Sequence, residues 1–99
     1  MNIQLKKFGS TLISRQAGKE AFAAFRPSLE DILETEDILI DFEGVITFSP
    51  SWGDEFLSPL IQRFGERLKL LKTQNPSVNA SLEILEESSN TKFKQTSLT

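Results

Sequence analysis

Near the centre of the chain lies Ile38-Leu39-Ile40-Asp41-Phe42, the most strand-like run in the sequence. Its near-continuous apolarity is the pattern of a strand buried on both faces, as in the middle of a parallel sheet. Such a strand needs crossover connections to its neighbours, usually helices. Helical signals lie on either side of it. Upstream, Ser14 suits an N-cap, and Ala17, Ala21, Ala24 and Phe25 fall near one stripe. Pro27 keeps the preceding residue out of helical geometry, so the pattern predicts a helix over 15–25 that ends by Arg26. Gly18 lies inside it at a cost of up to ~1 kcal/mol against Ala, and would allow close approach to the sheet or to a partner.

Residues 2–8 alternate and read as a first strand, followed by the turn signal Gly9-Ser10. The acidic stretch 28–36 has room for a helical turn around Leu29, Ile32 and Leu33. After Glu43-Gly44, Val45 to Phe48 continue as extended chain, and Ser49-Pro50-Ser51 is a turn. Phe56, Leu57, Leu60, Ile61, Phe64 and Leu68 form one broad apolar face. Pro59 leaves two readings: a helix that starts at Ser51 and bends near Glu55, or one that restarts with Ser58 as cap. Arg67 to Thr73 reads as a third strand. Asn75 then caps a last helix with Pro76 at its first position and Val78, Leu82 and Leu85 on one face. Strands alternating with helices imply an α/β fold, with a small mostly parallel or mixed sheet of about three to four strands and about three helices. One domain is expected over 1–87. From Ser88 to Thr99 the chain is polar except for Phe93 and Leu98, and is read as a loose tail.

The chain has no cysteine, no histidine and no tyrosine. That excludes a disulfide framework, a thiolate nucleophile, a Cys/His zinc cage and a Ser-His-Asp triad. Only carboxylates, lysines, arginines and hydroxyls are left for chemistry, so composition points to a binding or regulatory module, with no catalytic residues, cofactor or metal expected. The net charge of −3 hides an uneven distribution. Residues 1–26 carry a net of +4, nine acids and no base lie between Arg26 and Arg63, and residues 63–99 carry a net of +2. Such an acidic middle repels phosphate backbones, so nucleic acid is not an expected partner. It reads either as a solvated face or as a docking face for a basic partner. No run approaches the ~20 apolar residues of a membrane span, and no secretory signal pattern is present. A cytoplasmic protein is expected.

Few residues carry candidate chemistry. Gly18-Lys19 lacks the upstream glycine and the following Ser or Thr of a phosphate loop. Asp41 and Glu43, two apart on a strand, would share a face as a carboxylate pair; acids at a strand end are also commonly exposed or capping. Trp52, the one tryptophan, sits at the carboxyl end of the central strand, where sites form in open α/β sheets. It reads equally as a core lid or as a contact anchor. Ser51, with Asp54 three residues on, resembles a capping arrangement.

The segment ILIDFEGVITFSPSWGDEFL, residues 38–57, resembles the STAS domain of bacterial anti-sigma factor antagonists and of sulfate-transporter tails. It is most similar to the STAS-like family of small bacterial proteins of unknown function. The shared pattern is an apolar strand ending in D-F-x-x-V, a serine-containing turn, then an aromatic, a small residue and an acidic pair before a helix. Phe8-Gly9, Ser14-Arg15 and Gly18-Lys19 look like the family's first strand and first helix, and the likeness covers roughly residues 3–85. In antagonist-type domains a serine in this turn accepts phosphate from a partner kinase that is also the anti-sigma factor. Lined up from Asp41 and Val45, the antagonist aspartate falls at Ser49, the first serine at Pro50 and the phosphoacceptor at Ser51, while Trp52 replaces the following glycine. The chain looks like a trimmed version, without the extra strand that precedes the first helix of the larger domain. The resemblance implies a non-enzymatic regulatory module whose partner, an ATPase or kinase of the anti-sigma type, binds at Ser49, Pro50, Ser51, Trp52, Asp54, Glu55 and Arg15. The alternative is a small-ligand or nucleotide sensor binding at the helix N-terminus near Ser51. A carboxylate enzyme using Asp41 and Glu43 is a third reading.

Overall fold

The structure, a computed structural model, describes residues 1–97. Six strands are formed: β1 (Asn2–Gln4), β2 (Thr11–Leu12), β3 (Ile38–Asp41), β4 (Thr47–Phe48), β5 (Leu68–Leu71) and β6 (Lys94–Thr96). Three helices, α1 (Arg15–Phe25), α2 (Pro50–Phe64) and α3 (Pro76–Ser89), alternate with them. The main sheet has the order β1-β3-β5-β6 with every pair parallel, and β2 and β4 make a separate parallel ribbon. This is the expected α/β architecture with a mostly parallel sheet. No helix among the described residues is long and apolar enough to cross a membrane.

A strand order that never reverses, linked by crossovers of one hand, puts the helices on one face of the sheet. Accordingly α2 packs against both α1 and α3 in a single layer. Ile3, Ile38, Ile40, Leu68 and Leu70 point under that layer and are buried. Of their alternates, Leu39, Asp41 and Lys69 are half-buried, Leu71 is buried, and Asn2 and Gln4 are exposed. This corrects the expectation that the central strand is covered on both faces: β3 is central, but its second face is only partly covered.

The caps follow local chemistry. Ser14 Oγ accepts from Ala17 N at 3.0 Å and starts α1, and a short 3-10 turn over Arg26–Leu29 follows at Pro27. Asn75 Oδ1 accepts from Ser77 N and Val78 N to start α3. The Asn75 amide also donates to the carbonyls of Val45 and Ile46, tying α3 to the chain entering β4. Ser77 and Ser81 complete that link. Ser77 Oγ accepts from Phe48 N, and both hydroxyls donate to Phe48 O, so the outer edge of β4 is satisfied by helix side chains.

Several boundaries differ from the expected ones. The first strand stops at Gln4, and Leu5–Phe8 form a 3-10 turn that drives Leu5 into the core and Phe8 against Phe25 and Phe56. A strand, β2, does stand before α1, where none was expected. It is two residues long and exists because β4 pairs with it. α2 runs unbroken through Pro59, and Ser58 bonds Asp54 rather than capping a restart. Phe56, Leu57 and Leu60 are fully buried around that proline. Their burial, at about 1.5–3 kcal/mol each, outweighs the ~3 kcal/mol that an interior proline costs. The expected loose tail is the largest correction. Ser88 and Ser89 finish α3, Asn90 in the left-handed region caps it, Phe93 enters the core, and Lys94–Thr96 add the fourth strand. Leu98 and Thr99, the end of that expected tail, lie outside the described residues.

Candidate functional site

In a parallel sheet with helical crossovers, all helices start at the carboxyl ends of the strands. That end holds the N-termini of α1 and α2 and the β2–β4 ribbon, and most of the predicted site residues. Ser49 is the N-cap of α2: its hydroxyl accepts from Trp52 N at 3.2 Å and donates to Ile13 O at 2.6 Å. The sequence reading placed the cap at Ser51. The physical reason for the shift is Pro50, which suits the first helical position and therefore makes the residue before it the cap. Ser51 sits in the first turn, half-buried, and its hydroxyl makes no hydrogen bond among the described residues.

Trp52 is not a contact residue. It is 1% exposed, stacked on Phe56 at 5.0 Å, edge-on to Phe48 and tilted against Phe8. Of its two open readings the core one holds, and it leaves the list of partner contacts. Gly18 belongs to the same packing. A Cβ built there would lie 2.7 Å from Trp52 O and 3.0 Å from Trp52 Cα. The close approach it permits is therefore to α2 and not to the sheet.

Arg15, Asp54 and Glu55 are brought together as a cluster. Arg15 Nη1 donates to Asp54 Oδ2 at 2.9 Å and to Glu55 Oε1 at 3.1 Å, bridging the starts of α1 and α2. Asp54 Oδ1 accepts from Ser58 Oγ at 2.8 Å. The Arg15 guanidinium, then the Ser58 hydroxyl, hold the Asp54 carboxyl below its ordinary range, and the two carboxylates raise Arg15 in turn. Asp54 therefore ionises more readily folded than unfolded. Its contribution to stability is present above the ordinary aspartate range near pH ~4 and is lost as pH falls through the lower folded value. The ends are solvent-accessible, so the effect is small and salt-screened. Arg15→Ala is expected to lower the urea midpoint slightly at pH 7 in low salt, and the gap to wild type is expected to close below about pH 4. A gap of constant size across that range would show that the bridge contributes nothing.

Two features of this end escaped the sequence reading. Ile13 is 50% exposed and Ile46 68% exposed. Leu12 pairs inward with Phe48, so Ile13 faces out by strand alternation, a signal available once β2 is known to be a strand. Ile46 is turned out because Ser10 O accepts from both Ile46 N and Thr47 N, a bulge that sequence does not announce. The carboxylate pair does not form a comparable site. Asp41 Oδ1 is taken by Glu43 N at 2.9 Å, closing the turn after β3. No group of three or more metal-ligating side chains occurs among the described residues. Surface depressions of about 300–500 Å3 lie at the amino end of β5 and β6 against the end of α2, at the carboxyl end of β3 and β5, on the second sheet face and beside the end of α3, and none of these includes a residue of the Ser49–Glu55 turn.

No family model, no curated protein and no solved structure matches the chain.

Proposed function

We propose that the chain is a non-enzymatic regulatory interaction module of the bacterial cytoplasm. It works in the manner that its resemblance to anti-sigma factor antagonists implies, with an ATPase or kinase of the anti-sigma type as partner. The observation that supports this most is Ser51. Its hydroxyl is uncommitted, it stands in the first turn of α2, and it precedes by three and four residues the two carboxylates that hold Arg15. Residues at that spacing share one helix face. In the switch, the γ-phosphoryl of ATP transfers to Ser51 Oγ, the bond to the ADP oxygen breaks and the hydroxyl proton passes to a base on the kinase. The phosphate adds a charge of about −1.5 to −2. It repels Asp54 and Glu55, competes for Arg15 and is favoured by the α2 N-terminus. The α1–α2 bridge loosens at the surface the partner reads.

The test is the intact mass of the purified protein after incubation with its own cell lysate and Mg-ATP. One added phosphate on wild type and none on Ser51→Ala is the expected result. An unmodified wild type under conditions where a partner is captured makes the turn a passive docking site and removes the switch. Saturable thermal stabilisation by a nucleotide, with no protein partner, replaces the proposal with the ligand-sensor reading.

A further inference from the structure

α1 flanks the helix layer: it packs on α2, and α2 in turn on α3. Gly18, Ala21 and Phe25 face inward, while Lys19, Ala23 and Arg26 are exposed. At i, i+4 and i+7 these three form one strip about 10 Å long, a small residue between two cations. The ion pairs among the described residues involve neither cation. Glu20, the one acid of α1, accepts from Gln16. Four residues beyond Arg26 the acidic segment Glu30-Asp31-Ile32-Leu33-Glu34 begins. Its backbone is pinned from below: Arg63 of α2 donates to Leu29 O at 3.4 Å, and Arg67 donates to Leu33 O at 3.0 Å and to Glu34 O. Held in this way, the segment presents Leu33 outward, 68% exposed, with Glu30, Asp31 and Glu34 exposed around it. The next acids, Glu36 and Asp37, are taken by the Met1 amine and by Lys69, but these three carboxylates have no such partner among the described residues.

We infer that the strip of α1 docks the 30–34 segment of a second copy of this chain. The strip offers two cations around a flat apolar site, and the segment offers carboxylates around a protruding leucine. The two surfaces are complementary in charge and shape, and neither is used within the chain. They are also neighbours, since four residues separate Arg26 from Glu30. A two-fold axis passing between them sets each strip on the segment of the other copy. Leu33 then rests on Ala23 beside the half-buried Phe22, and Glu30, Asp31 and Glu34 face Lys19 and Arg26. Every contact is made twice, as an isologous interface requires. A phosphate backbone or an anionic lipid surface would meet the cations but be repelled by the acids beside them. A second copy uses both. Exposed ion pairs contribute little singly and the contact is small, so the dimer is weak and salt-sensitive. It makes no use of Ser51, and its failure leaves the proposed switch intact.

Sedimentation of the full chain in low salt, between about 1 µM and about 1 mM, spans the range in which a contact of this size binds. A concentration-dependent dimer is expected, and about 1 M salt should dissociate it. Two variants carry the test. Lys19→Glu with Arg26→Glu makes strip and segment both acidic, and Glu30→Lys with Glu34→Lys makes both net basic. Each alone should dimerise about tenfold or more less tightly, because symmetry repeats every like-charge contact. Mixed one to one, they should form a mixed dimer tighter than either alone, since each strip again meets a segment of opposite charge. A second readout does not depend on those variants folding. The chain has no cysteine, so Ala23→Cys and Leu33→Cys each carry a single thiol. With diamide as oxidant, their mixture should give a disulfide-linked pair. A mixture of Ala23→Cys with Ile84→Cys, an exposed position on α3, should not. A monomer up to ~1 mM, charge variants that dimerise like wild type, a mixture no tighter than its parts, or a linked pair no more abundant than the control overturns the inference. So does saturable binding of poly-L-glutamate to a chain that stays monomeric, which gives the strip to a foreign acidic segment.

Discussion

Trp52→Ala is expected to remove about 3–5 kcal/mol of stability, the range for truncating a fully buried large aromatic. Trp52 stands where four elements meet. It stacks on Phe56 of α2, meets Phe48 of β4 edge-on and lies against Phe8 of the turn after β1. Its backbone carbonyl supports α1 at Gly18. Truncation leaves a cavity in a cluster that also includes Phe25 and Phe42. A domain of this size has roughly 5–15 kcal/mol in total, so the variant is expected to be partly unfolded at 37 °C. Urea unfolding followed by far-ultraviolet circular dichroism measures this, since the substitution removes the fluorescent reporter. Trp52→Phe should lose much less. A Trp52→Ala variant within about 1 kcal/mol of wild type would mean that the tryptophan is not a packed core residue.

Gly18→Ala is the second large effect, and its sign runs against helix propensity. In an exposed helix the change would gain up to about 1 kcal/mol. Here the new methyl group would meet Trp52 O at 2.7 Å, Trp52 Cα at 3.0 Å and Glu55 Cβ at 3.2 Å. Two of those atoms are helix backbone and cannot rotate away. α1 must therefore move off α2, and overpacking of this kind costs about 1–3 kcal/mol. The net expectation is destabilisation, with the Arg15 bridge to Asp54 and Glu55 strained in the same displacement. Ala23→Gly, at an exposed position of α1, should instead show only the ordinary propensity loss. A more stable Gly18→Ala variant would contradict the α1–α2 packing.

What could be read beforehand is what local chemistry controls. Ser14 and the Asn75-Pro76 pair mark helix starts through backbone donors that only a side-chain oxygen can satisfy, and both helices begin there. The apolar run 38–42 reads as a central strand, and Ile38–Asp41 form β3 between β1 and β5, although the burial of both its faces that the run suggests is not complete. The features that were missed are settled between elements. β6 is three polar residues whose strand character comes from pairing with β5, so no periodicity betrays it. The one-sided placement of the helices follows from a strand order that never reverses, and no single segment encodes that order. In the candidate site Arg15, Asp54 and Glu55 are named from the sequence as partner contacts, but the ion pairs that join them cross from α1 to α2 and have no local signal, and the sequence reading sets the cap two residues late. The cue was present in Pro50, whose fixed geometry places the cap before it. Trp52 could not be assigned from its neighbours alone, because the glycine that seats it, Gly18, lies on another helix.

The most direct measurement is partner capture by three folded proteins: wild type, Ile13→Asp and Ile84→Asp. Both isoleucines are about half exposed, one beside Ser49 at the start of α1 and the other on α3. If the partner reads the shared start of α1 and α2, wild type and Ile84→Asp retain it and Ile13→Asp loses it at least about tenfold, as truncating or charging a contact residue does. If Ile13→Asp retains the partner and Ile84→Asp loses it, the interaction surface is on α3 and the account given for Ser51 and Arg15 is wrong.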